Sequence, residues 1–98
     1  MKILTIGRKG TDIVLEDSNK QISRLQAELT VTDNDKFYLV DCGSSNGTSL
    51  KRQGSWQSVK QEYVTREDEV RFGGFYTITI KELLSRAGIA VPPLLTKG

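Results

Sequence analysis

FYLVDCGSSNGTSL, residues 37–50, is the stretch of sequence that decides the fold. Its first residues are aromatic and β-branched, which is typical of a β-strand, and TSL begins another strand-like segment. Between them, serine, asparagine and glycine are crowded into a short bend. Asn46–Gly47 is the usual dipeptide of a tight hairpin turn, so a plain turn is one interpretation. The many short hydrogen-bonding side chains allow a second interpretation, in which the bend holds a ligand.

Outward from this bend, the chain reads as short strands separated by turn residues. In DIVLED, for example, Ile13 and Leu15 alternate with more polar positions, as expected for a strand with one wet face. Six or more short strands about ten residues apart indicate an all-β sandwich or barrel. The further segments are KILTI (2–6), ISRLQAELTV (22–31), KRQGSWQSV (51–59, hairpin-like), EVRF (69–72) and YTITI (76–80).

The C-terminal part departs from this strand pattern. In IKELLSRAG, residues 80–88, the apolar side chains recur at helical spacing, and Gly88 is a typical helix stop. Two prolines at 92–93 forbid continuation of the helix and favour an extended tail. We therefore expect residues 1–81 to form the β-structure and residues 82–98 to form a short helix and a proline-containing tail.

Composition restricts the classes of function. The 98 residues are enough for one domain, and a net charge of +2 is far from the dense basic surface of a nucleic-acid binder. The chain contains no histidine and one cysteine, Cys42, which excludes Ser-His, Cys-His and histidine–metal catalysis within it. No segment is apolar enough to cross a membrane. We expect no catalytic residue, no metal, no cofactor and a reducing, cytoplasmic setting.

Five short motifs occur in an order and spacing that resemble the forkhead-associated (FHA) family. That family consists of small β-sandwich modules that recognise phosphothreonine in partner proteins. The resemblance covers roughly residues 3–80 and implies a two-sheet β-sandwich whose loops at one end bind the ligand. The motifs are GR (7–8), DIVL (12–15), SR (23–24), SSNGT (44–48) and DEVRFG (68–73).

The resemblance also implies a role for individual residues. It implies that peptide and phosphate are bound by Arg8, Ser23, Arg24, Ser45 and Asn46, and that the loops are supported by Gly7, Gln26, Gly47, Thr48 and Asp68. The implied partner is a phosphothreonine-containing protein or peptide produced by a Ser/Thr kinase.

The chemistry of these side chains agrees with that implication. A phosphate group carries a charge of about −1.5 to −2 and three strong acceptor oxygens, so it requires a cation and hydroxyl or amide donors. Ser23 and Arg24 supply a hydroxyl and a planar guanidinium, which suits phosphate geometry. We expect Gly47 to adopt a positive φ that leaves the Asn46 side chain free to point outward. Gln26 stands where the family usually has histidine, and its amide can also donate and accept hydrogen bonds.

Three alternatives remain open from the sequence. The first is an FHA-like scaffold that binds its partner independently of phosphorylation, a reading that Gln26 and the short N-terminal side favour. The second is a small β-barrel that binds nucleic acid through stacking aromatic groups, although the charge argues against it. The third, an enzyme, is the weakest because no acid–base pair can be assembled. The candidate stacking groups are Trp56, Tyr63, Phe72 and Tyr76.

Overall fold

Two β-sheets enclose one apolar core in the computed structural model, which describes residues 1–34 and 36–89. The five-stranded sheet has the order β2-β1-β3-β4-β7, and the four-stranded sheet has the order β6-β5-β8-β9. All neighbouring strands are antiparallel except β1 and β2, which are parallel. The elements are β1 (Lys2–Gly7), β2 (Ile13–Val14), β3 (Ala27–Val31), β4 (Phe37–Asp41), β5 (Thr48–Arg52), β6 (Ser55–Ser58), β7 (Gln61–Val64), β8 (Glu69–Phe72), β9 (Tyr76–Thr79) and α1 (Ile80–Arg86).

The core consists of side chains that alternate along the strands of both sheets. Leu29 and Leu39 are fully buried in neighbouring strands of the larger sheet, and Leu50 is fully buried in the smaller one. Because successive side chains of a strand point to opposite faces, this alternation places one face of each sheet on the core. The same alternation buries Ile13 and Leu15, as their segment predicted. The all-β, two-sheet sandwich is confirmed.

The short C-terminal helix is also confirmed, and it begins directly after β9. The Thr79 hydroxyl caps it by accepting a hydrogen bond from the backbone N–H of Glu82 at 3.1 Å. Gly88, with φ +76°, ends it, and the N–H of Ile89 donates to the carbonyl of Leu84 at 3.0 Å. Leu84 and its neighbour Leu83 are buried in the common core.

The division into residues 1–81 and residues 82–98 stays a prediction. The proline-containing tail from residue 90 onward lies outside the described residues. No helix in the described part of the chain is long and apolar enough to cross a membrane.

One local expectation differs from the structure, and one of the two interpretations of the serine-rich bend is excluded. Only the second half of ISRLQAELTV is a strand, because β3 begins at Ala27 and residues 21–26 form a loop. The bend containing Asn46–Gly47 is not a hairpin turn, because β4 and β5 belong to different sheets. The predicted hairpin at 51–59 does form, and its two turn residues, Gln53 and Gly54, both have positive φ, as a tight β-hairpin requires.

Candidate functional site

Four connections that carry the predicted site residues, or pack against them, lie at one end of the sandwich, together with the short link between β6 and β7 (residues 59–60). At this end β1 and β4 finish beside the start of β3, and β8 finishes beside the start of β5. The connection between β4 and β5 crosses from one sheet to the other. We call the four connections the arginine loop (residues 8–12), the serine loop (residues 21–26), the asparagine bend (residues 42–47) and the glycine turn (residues 73–75).

Gln26 joins the serine loop to the asparagine bend. Its side-chain Oε1 accepts a hydrogen bond from the backbone N–H of Ser23 at 3.0 Å. Its Nε2 donates to the carbonyl of Gly47 at 2.8 Å and to Thr48 Oγ1 at 3.1 Å. The residue is fully buried, so the hydrogen bonds of its amide group have to come from these protein partners. One side chain therefore fixes the relative position of both segments.

Asp41 organises the asparagine bend from inside, a role that the sequence interpretation missed. Its Oδ1 accepts from the Ser44 hydroxyl at 2.6 Å and from the Thr48 hydroxyl at 2.7 Å. Burial alone would raise the pKa of Asp41, but the hydrogen bonds from Ser44 and Thr48 outweigh it and hold that pKa below its ordinary value. An aspartate just before a bend rich in serine and glycine is a recognisable turn signal.

Ser23 and Asn46 make the direct contacts between the serine loop and the asparagine bend. Ser23 Oγ accepts a hydrogen bond from the backbone N–H of Ser45 at 3.1 Å. The Asn46 side-chain Nδ2 donates to the backbone carbonyl of Gln21 at 2.8 Å and to the Gln21 side-chain Oε1 at 3.2 Å. Asn46 is exposed, but its amide group is bonded to Gln21 of the serine loop. The sequence predicted that this side chain would be free. Gly47 has the expected positive φ, +84°.

The two arginines differ in how firmly they are held. Arg8 is half-buried; its backbone N–H donates to the carbonyl of Ser23 at 3.1 Å, and its Nε donates to the carbonyl of Ile22 at 3.0 Å. Its terminal Nη1 and Nη2 make no hydrogen bond with the described residues. Arg24 is exposed on the serine loop. The guanidinium group of Arg8 is therefore held by a hydrogen bond. The exposed side chain of Arg24 retains its rotamer freedom.

Asp17 shapes the segment that leads into the serine loop and was also missed. Its Oδ2 accepts from the backbone N–H of Ile22 at 2.7 Å, and its Oδ1 accepts from that of Asn19 at 3.0 Å. Partial desolvation acts to raise the pKa of Asp17, but these backbone hydrogen bonds, assisted by the positive charge of Arg8, hold that pKa below its ordinary value.

Close backbone packing at two glycines brings the connections together. A Cβ at Gly7 would lie 1.8 Å from the carbonyl oxygen of Arg24, so only glycine allows the serine loop to cross there. A Cβ at Gly73 would lie 2.8 Å from the carbonyl oxygen of Gln21. The N–H of Gly73 also donates to the carbonyl of Gly47 at 3.0 Å. Gly73 lies within the DEVRFG motif, but no role was predicted for it.

The structure does not bring Asp68 to these connections. Asp68 Oδ1 accepts from Arg52 Nη1 at 2.8 Å, and its Oδ2 accepts from the backbone N–H of Thr65 at 2.7 Å. Arg52 is at the end of β5 opposite Thr48, so Asp68 supports the far end of the sandwich. The other nine predicted residues lie in or beside the four connections: Gly7, Arg8, Ser23, Arg24, Gln26, Ser45, Asn46, Gly47 and Thr48.

The aromatic residues considered for nucleic-acid stacking do not share a surface. Phe72 is fully buried in the core. Tyr63 is exposed on the five-stranded sheet beside Tyr38, whereas Trp56 lies on the four-stranded sheet. Among residues 1–34 and 36–89, no three His, Cys, Asp or Glu side chains are grouped to hold a metal ion. The exposed groups at the four connections include the Ser45 hydroxyl, the Asn46 amide and the Arg24 guanidinium, which suit an oxyanion. The carboxylate of Asp12 and the apolar side chains of Leu25 and Phe75 are exposed at the same connections.

Comparison with known proteins gives a consistent result. A family model for the FHA domain matches residues 4–73. No curated protein matches the chain. The FHA domain of FhaA, solved in complex with the intracellular domain of Rv3910, is 26% identical with a TM-score of 0.61, over 74% of this chain and 72% of that chain. The FHA domain of the CT664 protein from Chlamydia trachomatis is 26% identical with a TM-score of 0.62, over 78% and 70%.

A third similar structure comes from work on phosphothreonine-dependent FHA domain interactions. It is 26% identical with a TM-score of 0.61, over 74% of this chain and 69% of that chain. The family match includes the whole of the arginine loop, the serine loop and the asparagine bend.

Proposed function

The chain belongs to the FHA domain family, and from that premise we propose that it binds phosphothreonine-containing segments of partner proteins through its four clustered connections. In this proposal it is a signalling or adaptor module without catalytic activity of its own. The partner is the product of a Ser/Thr kinase. The cytoplasmic setting, which was inferred from the single cysteine, stays a prediction.

The hydrogen bonding of Ser23 is the observation that best supports this function. Its Oγ already accepts from the N–H of Ser45, so the oxygen is fixed in position. The hydroxyl hydrogen then remains available to donate to a phosphate oxygen. A donor that is held in place before binding loses little entropy when the ligand arrives.

The guanidinium groups supply the charge that a phosphate requires. Arg8 is braced through its Nε on the carbonyl of Ile22, which leaves its two Nη atoms to face a ligand. Arg24 extends from the exposed side of the serine loop and is proposed to close over the phosphate or the flanking peptide. Each charge-assisted hydrogen bond contributes about 1.5–3 kcal/mol. Three such bonds contribute about 4.5–9 kcal/mol before the cost of association is subtracted, so further contacts with the flanking peptide are required for micromolar affinity, about −8 kcal/mol.

Asn46 and Ser45 are proposed to contact the peptide beside the phosphothreonine. Because Asn46 Nδ2 is bonded to Gln21, its Oδ1 is the atom left to accept a hydrogen bond from a peptide N–H. The Ser45 side chain is exposed next to it and provides a further hydroxyl. One of the similar solved structures concerns phosphothreonine-dependent FHA domain interactions, which supports phosphothreonine as the ligand class.

A titration with peptide pools tests the proposal. A phosphothreonine pool is compared with the same pool carrying threonine and with one carrying phosphoserine, and NMR shifts are followed at the amides near Ser23 and Asn46. We expect saturable binding of the phosphothreonine pool alone. Equal binding of the phosphorylated and unmodified pools would overturn the proposal.

Matched variants locate the binding. Ser23→Ala and Arg8→Ala are each expected to weaken phosphopeptide binding about tenfold or more, since each removes a charge-assisted contact. Ser18→Ala and Lys81→Ala change an exposed serine and an exposed cation that lie outside the four connections, and affinity should stay within about twofold. The one-dimensional NMR spectrum of each variant verifies that the fold is retained.

The phosphorylation-independent scaffold is the alternative that this experiment separates. It was motivated by Gln26 in place of the usual histidine, but Gln26 makes three side-chain hydrogen bonds that connect the loops. If Arg8→Ala leaves the binding of a natural partner unchanged, the scaffold is favoured over the phosphothreonine reader.

A further inference from the structure

The outer face of the four-stranded sheet carries an arginine whose charge is not compensated. Leu50, Val70 and Ile78 point into the core, so the residues that alternate with them along β5, β8 and β9 face outward. Arg71 lies in the middle of this face, directly between Ser49 on β5 and Thr77 on β9.

The Arg71 guanidinium lies over the ring of Trp56. Its central carbon is 4.0 Å from the ring centroid, which is a close cation–π contact. Its Nε atom is buried and has no hydrogen-bond partner. Within residues 1–34 and 36–89, Arg71 forms no ion pair, whereas nearby Lys51 pairs with Glu69 at 3.6 Å. The position of the guanidinium is therefore fixed by stacking while its donors remain unused.

Hydroxyl groups flank this guanidinium in the same row across the sheet. Ser49 is paired with Arg71 on one side and with Ser58 on the other, and Thr77 is paired with Arg71 from β9. Ser58 and Thr77 are exposed. Because Nε is covered, Nη1 and Nη2 are the guanidinium donors left for an incoming oxyanion, and the hydroxyls supply further donors.

From this arrangement we propose a second binding site, centred on Arg71 stacked on Trp56, that takes carboxylate groups from an acidic segment of a partner protein. At one edge of the face, Glu67 and Asp68 line a shallow cavity together with Lys51, and Asp68 is paired with Arg52. At the outward positions of β5, β8 and β9 the charged residues are Lys51, Glu69 and Arg71; Lys51 and Glu69 pair with each other, so Arg71 carries the remaining positive charge. That small positive excess suits one or two carboxylates. A nucleic acid requires many more cations to neutralise its phosphates. The site does not depend on the phosphothreonine function, because its donors lie on the sheet face and not in the four connections.

Trp56 allows a direct test because it is the only tryptophan of the chain. The fluorescence of the intact protein is titrated at low salt with a short blocked peptide of alternating Asp and Glu, and with the same peptide made of Asn and Gln. We expect a saturable change with the acidic peptide only, and its midpoint should move to higher concentration with added salt. Neither peptide carries phosphate, so the outcome is independent of the phosphothreonine titration.

Three variants make the test specific. Arg71→Gln should weaken acidic-peptide binding about tenfold or more, because it removes the charged donor. Arg71→Lys should restore only part of it, since lysine lacks the planar pair of donors. Arg86→Gln, which removes an exposed arginine that pairs with Glu82 on α1, should leave it unchanged. If Arg71→Gln does not fold, as thermal unfolding would reveal, Arg71→Lys and its partial loss decide the question.

Several results would overturn the proposal. These are the absence of a saturable fluorescence change with the acidic peptide, equal affinity of wild type and a folded Arg71 variant, and tighter binding of a single-stranded oligonucleotide than of the acidic peptide. Inorganic phosphate is titrated alongside, and stronger binding of phosphate than of the acidic peptide would likewise contradict a carboxylate site.

Discussion

The side-chain Nε2 of Gln26 lies 2.8 Å from the backbone carbonyl of Gly47, a residue 21 positions later and the last of the bend between the two sheets. Through this contact a buried amide holds two loops that are remote in sequence. Neither loop contains enough regular structure to fix its own position, so their relative geometry depends on this side chain together with the hydrogen bonds that Ser23 and Asn46 make between the loops.

We expect Gln26→Ala to lower the free energy of unfolding by about 2–4 kcal/mol. The substitution leaves the Ser23 N–H without its acceptor, removes one of the two donors to the Gly47 carbonyl, and opens a cavity at a fully buried position. Denaturant unfolding followed by fluorescence measures it. Gln57→Ala, an exposed glutamine on β6, serves as the control and should change the free energy by no more than about 0.5 kcal/mol. A similar small effect at Gln26 would show that the loops are held by other contacts.

Gly7→Ala should destabilise the protein by about 3 kcal/mol or more. The added Cβ would collide with the carbonyl oxygen of Arg24 at 1.8 Å, so the serine loop has to move. Gly10→Ala is the matched variant, since Gly10 has φ +75° but open space around it and should lose only about 1 kcal/mol from backbone strain. Thermal unfolding compares the two. Equal losses would mean that the crossing at Gly7 is not as tight as described.

The stabilisation provided by Asp41 should disappear in acid. Its pKa is below the ordinary 3.8 in the folded state, because hydrogen bonds from Ser44 and Thr48 outweigh the effect of burial. The unfolded state therefore binds the proton more readily, and stability is lost as pH falls through the folded-state pKa. The difference in unfolding free energy between wild type and Asp41→Asn should shrink from about pH 6 to about pH 2.

Removal of the donors to Asp41 tests the same explanation from the other side. Ser44→Ala and Thr48→Val each take away a hydrogen bond from its Oδ1, so each should flatten the acid dependence. If the acid dependence of these variants matches that of wild type, the hydrogen bonds are not its source.

Asp68→Ala should lower stability without changing ligand affinity. It breaks the 2.8 Å contact with Arg52 at the end of β5 opposite the asparagine bend. We expect a loss of about 1 kcal/mol, since the pair is only partly buried, and an unchanged phosphopeptide affinity. Unfolding and peptide titration on the same preparation measure both. Loss of affinity in a folded Asp68→Ala protein would restore the original expectation that Asp68 supports the binding loops.

The sequence predicted the strands and the helix of this fold better than it predicted which strands pair with one another. Alternation identified the segments around Ile13 and Ile78, and helical spacing with Gly88 identified α1, because those signals are local. The sheet to which each strand belongs depends on distant pairing. The dipeptide Asn46–Gly47 therefore allowed a hairpin turn as one interpretation, although its flanking strands are in different sheets.

For the site, the family resemblance identified the loop residues, whereas long-range geometry decided the rest. Asp41 could have been found as a turn former, since its partners Ser44 and Thr48 follow within a few residues. Gly73 could not, because the Gln21 carbonyl that requires it is more than fifty residues away in sequence. Asp68 is the first residue of the DEVRFG motif, yet its contact with Arg52 lies at the end of β5 away from the four connections.

The interior anchoring of the loops has a practical consequence for engineering. The loops are held by Gln26 and Asp41 from within, while Arg24, Leu25 and Ser45 project from their tips into solvent. The residues at the loop tips can therefore be replaced without loss of the hydrogen bonds that hold the loops. A combinatorial library randomised at these three positions is expected to yield folded variants with new ligand preferences. A library randomised at Gln26 and Asp41 is expected to yield mostly unfolded variants.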